Sequence, residues 1–259
     1  MSVRTATRTW RLAATAAGAA ALALLTAGCA GDASADGGAE PEHKSFALPG
    51  RTLTVDSDDS RIELVVGDGD EVRVTRWFTG RAVLGSTPRA DWTVEGDELR
   101  LRVTCSGLIT TCDAKHRVEV PADVAVTLRT QDGSVTAKGF STPLTLHGSD
   151  ARLTVENVSG PLDLRSTDGA ITARSVSSPT VRARTEDGSL LLSMAEAPER
   201  IDAGSKDGSV TVELPEAAYR VRTAVQDGRA NVSVLEDPSS SRVVSVTAED
   251  GNVTVRPAG

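Results

Sequence analysis

A twelve-residue pattern, apolar-x-apolar-x-small-x-Asp-Gly-x-apolar-Thr-apolar, recurs with substitutions seven times in the second half of the chain. Its anchoring aspartates are Asp132, Asp150, Asp168, Asp187, Asp207, Asp227 and Asp250, at spacings of 18, 18, 19, 20, 20 and 23 residues. The residues three and five after each aspartate are apolar in every copy, and so is the residue six before it. The residue between the first two is Thr in five copies of seven. A period this even means one short structural unit stacked on itself.

Alternation at period two is strand chemistry, because successive side chains point to opposite faces. Val210-Thr211-Val212-Glu213-Leu214 places Val, Val and Leu inward and Thr and Glu outward. Each unit is therefore strand, Asp-Gly turn, strand and a looser connection. Gly accepts positive φ, and Asp can hydrogen-bond its own neighbouring backbone. Two architectures satisfy the pattern. One is a series of hairpins, for which Asp-Gly between alternating runs is a strong signal. The other is an all-β, single-chain β-solenoid with coils of about 18–20 residues stacked in parallel. The even period and the small inward residues Ala137, Ala173, Ala183, Ala203 and Ala230 favour the solenoid. An eighth, degenerate copy is readable upstream at Leu53, Val55, Asp59, Ile62 and Leu64. The more irregular N-terminal β region, with Trp77, Phe78 and Trp92, is expected to cap the stack.

This pattern, together with Val118-Glu119-Val120-Pro121-Ala122-Asp123-Val124 before the first clear copy, resembles the DUF4097 family, whose members carry an adhesin label. The resemblance covers roughly residues 46–259. It implies a single-chain β-helix of a bacterial envelope protein and brings no catalytic motif with it.

The N-terminus reads as an address. Arg4, Arg8 and Arg11 precede an apolar, Ala-rich run from Leu12 to Ala27, too short to span a bilayer securely. It ends in Leu25-Thr26-Ala27-Gly28-Cys29, which resembles the bacterial lipobox, with Thr26 where Leu is commonest. The expectation is a lipoprotein signal peptide over 1–28, acylation (palmitate among the acyl chains) at Cys29, a flexible tether over 29–45 and one domain over 46–259. Such a protein is extracytoplasmic and lipid-anchored to the bacterial cell membrane, because two or three buried acyl chains hold it there. In that oxidising compartment Cys105 and Cys112, enclosing six residues, read as a disulfide. The rival, a metal site of Cys105, Cys112 and His116, lacks a fourth ligand and structural-zinc spacing.

The chain carries a formal charge of −8, and removing residues 1–28 takes away three Arg and no acid, leaving −11. That argues against nucleic acid and anionic lipid head groups as partners. The seven aspartates would form a ladder along one edge, with carboxylates about 4.8 Å apart. Asp-Gly is favoured at such turns for backbone reasons alone, so the ladder reads as structural, with no catalytic residue, no metal and no cofactor expected. The outward arginines Arg129, Arg152, Arg165, Arg182, Arg184, Arg220 and Arg222 read as cross-strand ion-pair partners, or as a weak stripe for an anionic glycan. The sequence thus points to a non-catalytic adhesin-like, scaffold or partner-binding module whose partner is an envelope protein or glycan. A polysaccharide-acting β-helix enzyme using the Asp ladder, and an accessory of an envelope signalling or stress system, are the alternatives.

Overall fold

The structure is a computed structural model that describes residues 39–259. Six strands come first: β1 (Glu42–Ala47), β2 (Thr52–Gly67), β3 (Glu71–Gly85), β4 (Arg89–Glu95), β5 (Glu98–Thr104) and β6 (Gly107–Pro121). β7 (Ala125–Lys138) opens the repeats. After it, each copy supplies one strand before its aspartate and one after. These are β8 (Leu144–Gly148) and β9 (Arg152–Glu156), β10 (Leu162–Arg165) and β11 (Ile171–Val176), and β12 (Thr180–Thr185) and β13 (Leu190–Met194). They continue as β14 (Arg200–Ser205) and β15 (Val210–Leu214), β16 (Arg220–Asp227) and β17 (Ala230–Val232), and β18 (Val243–Asp250) and β19 (Val253–Pro257). No helix occurs among the described residues, so none there is long and apolar enough to cross a membrane.

The units are coils of a parallel solenoid, not hairpins. Strands before the aspartates stack in the order β7, β8, β10, β12, β14, β18, β16. Strands after them stack as β7, β9, β11, β13, β15, β19, β17. The degenerate upstream copy is a true coil: β2 lies parallel to β7 along both halves, with Asp59 opposite Asp132 and Leu53 opposite Val126. Eight aspartate levels span seven intervals, about 34 Å at ~4.8 Å each.

Equivalent residues pair level on level, which lines up the core. Val126, Leu144, Leu162, Val181, Ile201 and Val244 form one buried column, and Val135, Leu153, Ile171, Leu190, Val210 and Val253 another. The small position two before the aspartate has its own task. Ser166 Oγ lies 3.2 and 3.1 Å from the carbonyls of Ser149 and Ala151 in the coil before. Thr185 and Ser205 make the same pair of contacts one and two coils later. A hydroxyl there satisfies carbonyls that a sharp turn would leave buried and orphaned.

The glycine after the aspartate is needed for space more than for positive φ. A Cβ on Gly169 would sit 1.9 Å from the Ala151 carbonyl oxygen, and one on Gly188 2.3 Å from that of Gly169. At these levels the stacked turns leave no room for a side chain, whereas the Asp150 and Asp59 levels accommodate Ala151 and Ser60 at the same position. Gly133, Gly228 and Gly251, at φ 95, 154 and 159, are the copies that also use positive φ.

The stack departs from chain order at its end. The last copy, around Asp250, lies between the copies of Asp207 and Asp227. The Asp227 coil is therefore terminal. Ala230, expected inward, is exposed, as is Thr223, which stands where the other copies carry Leu, Ala or Val. With no coil beyond it, this level has nothing to bury them against. Tyr219, just before β16, is buried and donates its hydroxyl to the Pro215 carbonyl at 2.9 Å.

At the other end β5 and β6 extend the stack in parallel on β2, and β4, β3 and β1 close it antiparallel. Two expectations need correction here. The strands begin at Glu42, inside the span assigned to the tether. Glu42-His43-Lys44-Ser45 is too polar to announce a strand, but as an edge on β3 it needs only Phe46 to pack inward. Of the three capping aromatics, Trp92 packs on the core, whereas Trp77 and Phe78 do not. Instead, Lys115 Nζ lies over the Trp77 ring at 4.8 Å.

Candidate functional site

The outward face of the stacked strands that precede the aspartates carries two rows of side chains. Residues three before each aspartate pair successively as Arg129, His147, Arg165, Arg184 and Gly204. Residues five before it contribute Asp163, Arg182 and Asp202 on adjacent levels. The in-register stack is what converts residues 18 to 20 apart in sequence into neighbours one strand spacing apart.

Cations outnumber acids along these rows. Asp163 receives Arg165 Nε at 3.0 Å and faces His147 Nε2 at 3.8 Å and Arg182 at 3.9 Å. Arg184 Nη2 meets Asp202 at 2.6 Å. His147 is held below the usual histidine range by burial; the Asp163 carboxylate works against that, and flanking Arg165 and Arg129 reinforce it. At the end of the row the long side chains stop at Gly204, where a Cβ would meet Thr247 Oγ1 at 2.5 Å. An open groove of about 810 Å³ results, walled by Arg165, Arg184, Lys206, Gln226, Glu186 and Glu249. It offers guanidinium and ammonium donors to an extended anionic ligand.

The seven predicted aspartates do form a ladder, in stack order 132, 150, 168, 187, 207, 250, 227, and all are exposed at the corner between the two sets of strands. Their backbones hold the turns together: Asp168 N–H donates to the Ser149 carbonyl at 2.9 Å and Asp187 N–H to that of Thr167 at 2.9 Å. The Asp168 carboxyl is raised above its ordinary range by a hydrogen bond with Asp150, by desolvation and by neighbouring carboxylates. Asp250 is raised by desolvation, then by Asp207 and Asp227. None of the seven lines the groove.

The predicted arginines are not one stripe. Arg129, Arg165 and Arg184 share a row, and Arg182 adjoins it. Arg152 belongs to the strands after the aspartates, while Arg220 and Arg222 sit on the terminal coil, where Arg220 donates to the Ser240 carbonyl at 2.8 Å. Gly204 and Lys206 were not readable as site residues from single copies. Laying the copies in register exposes the signal, because Gly204 interrupts a run of long polar residues.

Cys105 and Cys112 are joined by a disulfide, with their Cα atoms 6.2 Å apart. Their sulfurs are therefore not available as metal ligands. His116 lies inside the cap, fully buried beside Arg76. Among the described residues no cluster of three His, Cys, Asp or Glu is placed to hold a metal ion. Cys29, the predicted lipidation site, lies outside the described residues.

The family model described as Toastrack DUF4097 matches residues 50–256. No curated protein matches the sequence. Among solved structures the fold is similar to a candidate cell adhesion protein from Clostridium sporogenes, at 12% identity, 85% of this chain, 99% of that one and TM-score 0.40. A candidate adhesin from Bacteroides fragilis matches at 10% identity over 84% of this chain and 97% of that one, with TM-score 0.38. Another from Parabacteroides merdae matches at 10% identity over 85% and 97%, with TM-score 0.41.

Proposed function

The chain belongs to the DUF4097 family, and from that premise we propose that it is a non-catalytic, adhesin-like module of the cell envelope. In this reading Cys29 carries the lipid that anchors it on the outer side of the cell membrane. The rigid stack then presents Arg129, Arg165 and Arg184, and the groove that Arg165 and Arg184 help to wall, to an anionic envelope glycan. The observation that carries the reading is the row itself: Arg165 and Arg184 one strand spacing apart and Arg129 two levels from Arg165, in register, in a chain of net charge −8. A repeating polyanion matches that spacing better than a compact substrate does. The enzyme alternative is disfavoured by the exposure of the ladder, whose carboxylates stand at a corner and share no cleft with the groove.

The test is retention of the full mature chain on an immobilised uronate polysaccharide. Elution is expected to move to markedly lower salt for Arg165→Ala/Arg184→Ala, because each lost cation removes a salt-sensitive contact. Identical elution of variant and parent would refute the row as a glycan site. Cross-linking in intact cells separates the remaining alternative: a single stoichiometric envelope protein would make the chain an accessory of that complex.

A further inference from the structure

At the capped end, the last residues of β3 and the first of β6 pair with each other, Val83 opposite Ile109 and Gly85 opposite Gly107. Four large apolar side chains stand out there: Val83, Leu84, Leu108 and Ile109 are 53%, 82%, 75% and 65% exposed. A compact group of this kind on a soluble surface marks an interaction site. It is also held firmly. The Cys105–Cys112 disulfide ties β6 to the approach from β5, and Ser86 N–H donates to the Ser106 carbonyl at 3.1 Å. A Cβ on Gly85 would fall 2.1 Å from that carbonyl oxygen, so the strands cross as closely as backbone allows. Leu84 sits at φ 52, a left-handed conformation that a leucine rarely adopts. A residue with so bulky a side chain is thus kept in a strained backbone while facing solvent.

The charge beside the tip is one-sided. Residues 79–90 and 103–112 hold Arg81 and Arg89 and no acid. Arg81 makes no ion pair among the described residues, and Arg89 pairs with Asp91. Asp91 and Asp113 stand just outside these segments, on Arg89 and Arg61, and more distant charge is screened beyond about 8–10 Å, so contact chemistry at the tip is apolar, with Arg81 beside it.

The direction of the chain supplies the partner. β1 runs antiparallel to β3 with Glu42 opposite Arg76, so the chain enters the domain from the side of the tip. Eight residues separate Arg76 from Leu84, about 27 Å at ~3.4 Å per residue. Thirteen residues separate Cys29 from Glu42, a contour of up to about 45 Å. An acyl group on Cys29 can therefore reach the plane of the tip. We propose that Val83, Leu84, Leu108 and Ile109 insert into the surface of the bilayer that holds the Cys29 lipid, with Arg81 at the anionic head groups. The proposal rests on the lipid-anchor reading above. Two attachments, one flexible and one rigid, fix how the stack stands on the membrane.

The full acylated chain, reconstituted in vesicles of phosphatidylcholine and phosphatidylglycerol with brominated acyl chains, tests this. Leu84→Trp, and independently Leu108→Trp, are expected to lose most of their added emission relative to the parent chain. Leu235→Trp, 69% exposed on the far cap, is expected to keep it. Vesicle-bound protein without quenching at 84 and 108 would overturn the tip and leave the anchor standing. Quenching at all three sites would overturn oriented insertion. A parent chain that fails to float with vesicles would overturn the anchor, and the proposal with it.

Discussion

The repeat stack and the antiparallel cap bury polar groups in opposite ways. Inside the stack the buried polar residues are hydroxyls; Ser166, Thr185 and Ser205 donate to carbonyls of the coil before, and Ser57 and Ser60 bond each other. In the cap they are Arg76 and His116. Arg76 reaches Glu42 at 2.7 Å and the Ala90 carbonyl and stacks over Trp92 at 4.4 Å. Both ring nitrogens of His116 lack a hydrogen-bond partner among the described residues. Repetition lets one solution serve every level. Where the stack must stop, no next level exists and each buried group needs its own arrangement, so the cap is where mismatches collect.

The contrast predicts where the molecule is fragile. The largest effect is expected in the middle of the stack. Val212→Asp places a charge at a fully buried site with no partner, and should cost more than about 4 kcal/mol, enough to unfold neighbouring coils. Val232→Asp, half-buried on the terminal coil, should cost much less. Urea unfolding of both variants measures this; equal losses would mean the terminal coil is as enclosed as the central ones.

Next comes the cap, through pH. Burial, reinforced by Arg76, lowers His116 from 6.5 to about 4. The fold therefore refuses a proton that the unfolded chain accepts. Stability should be complete above pH 6.5, decline as pH falls toward 4 and lose no more below it, a total of about 3 kcal/mol. His116→Leu should remove that component of the pH slope. If parent and variant keep parallel profiles from pH 7 to 4, His116 titrates normally and the cap is open to water.

A smaller loss, about 1–3 kcal/mol, is expected for Gly188→Ala, since the added Cβ meets the Gly169 carbonyl oxygen and the turns must separate. Thermal unfolding that is unchanged would show the turns have slack. Thr211→Asp, on the outward face, should stay within about 0.5 kcal/mol. A loss matching that of Val212→Asp would invert the assignment of faces.

Much of this stack could be read from the chain before any coordinates. Period-two alternation identified Val210, Val212 and Leu214 as inward, and a degenerate copy at Asp59 was legible because its apolar spacing survives without its glycine. The non-sequential last coil was not legible, because Thr223 and Ala230 each look like tolerable variation and level order is decided by contacts between copies. The edge strand at Glu42 is illegible for a related reason: Glu42 pairs with Arg76 on β3, 34 residues further along the chain. Of the candidate site, the individual arginines were visible, but which of them share a row depends on the offset from each aspartate. The groove depends on Gly204, an absence of side chain that only the assembled neighbours make meaningful.

The placement of β18 and β19 between coils already laid down has a consequence for biosynthesis. A chain that folds from its N-terminus as it emerges on the outer side of the membrane builds its coils in order as far as Leu214, then makes the Asp227 coil with no level to rest on. Until residues 243–257 arrive, the Asp207 and Asp227 coils each present bare strand edges, which invite pairing with other chains. Seating that final segment closes both edges in one step. It acts as a keystone, so loss of these residues would open the interior of the stack and not merely shorten it.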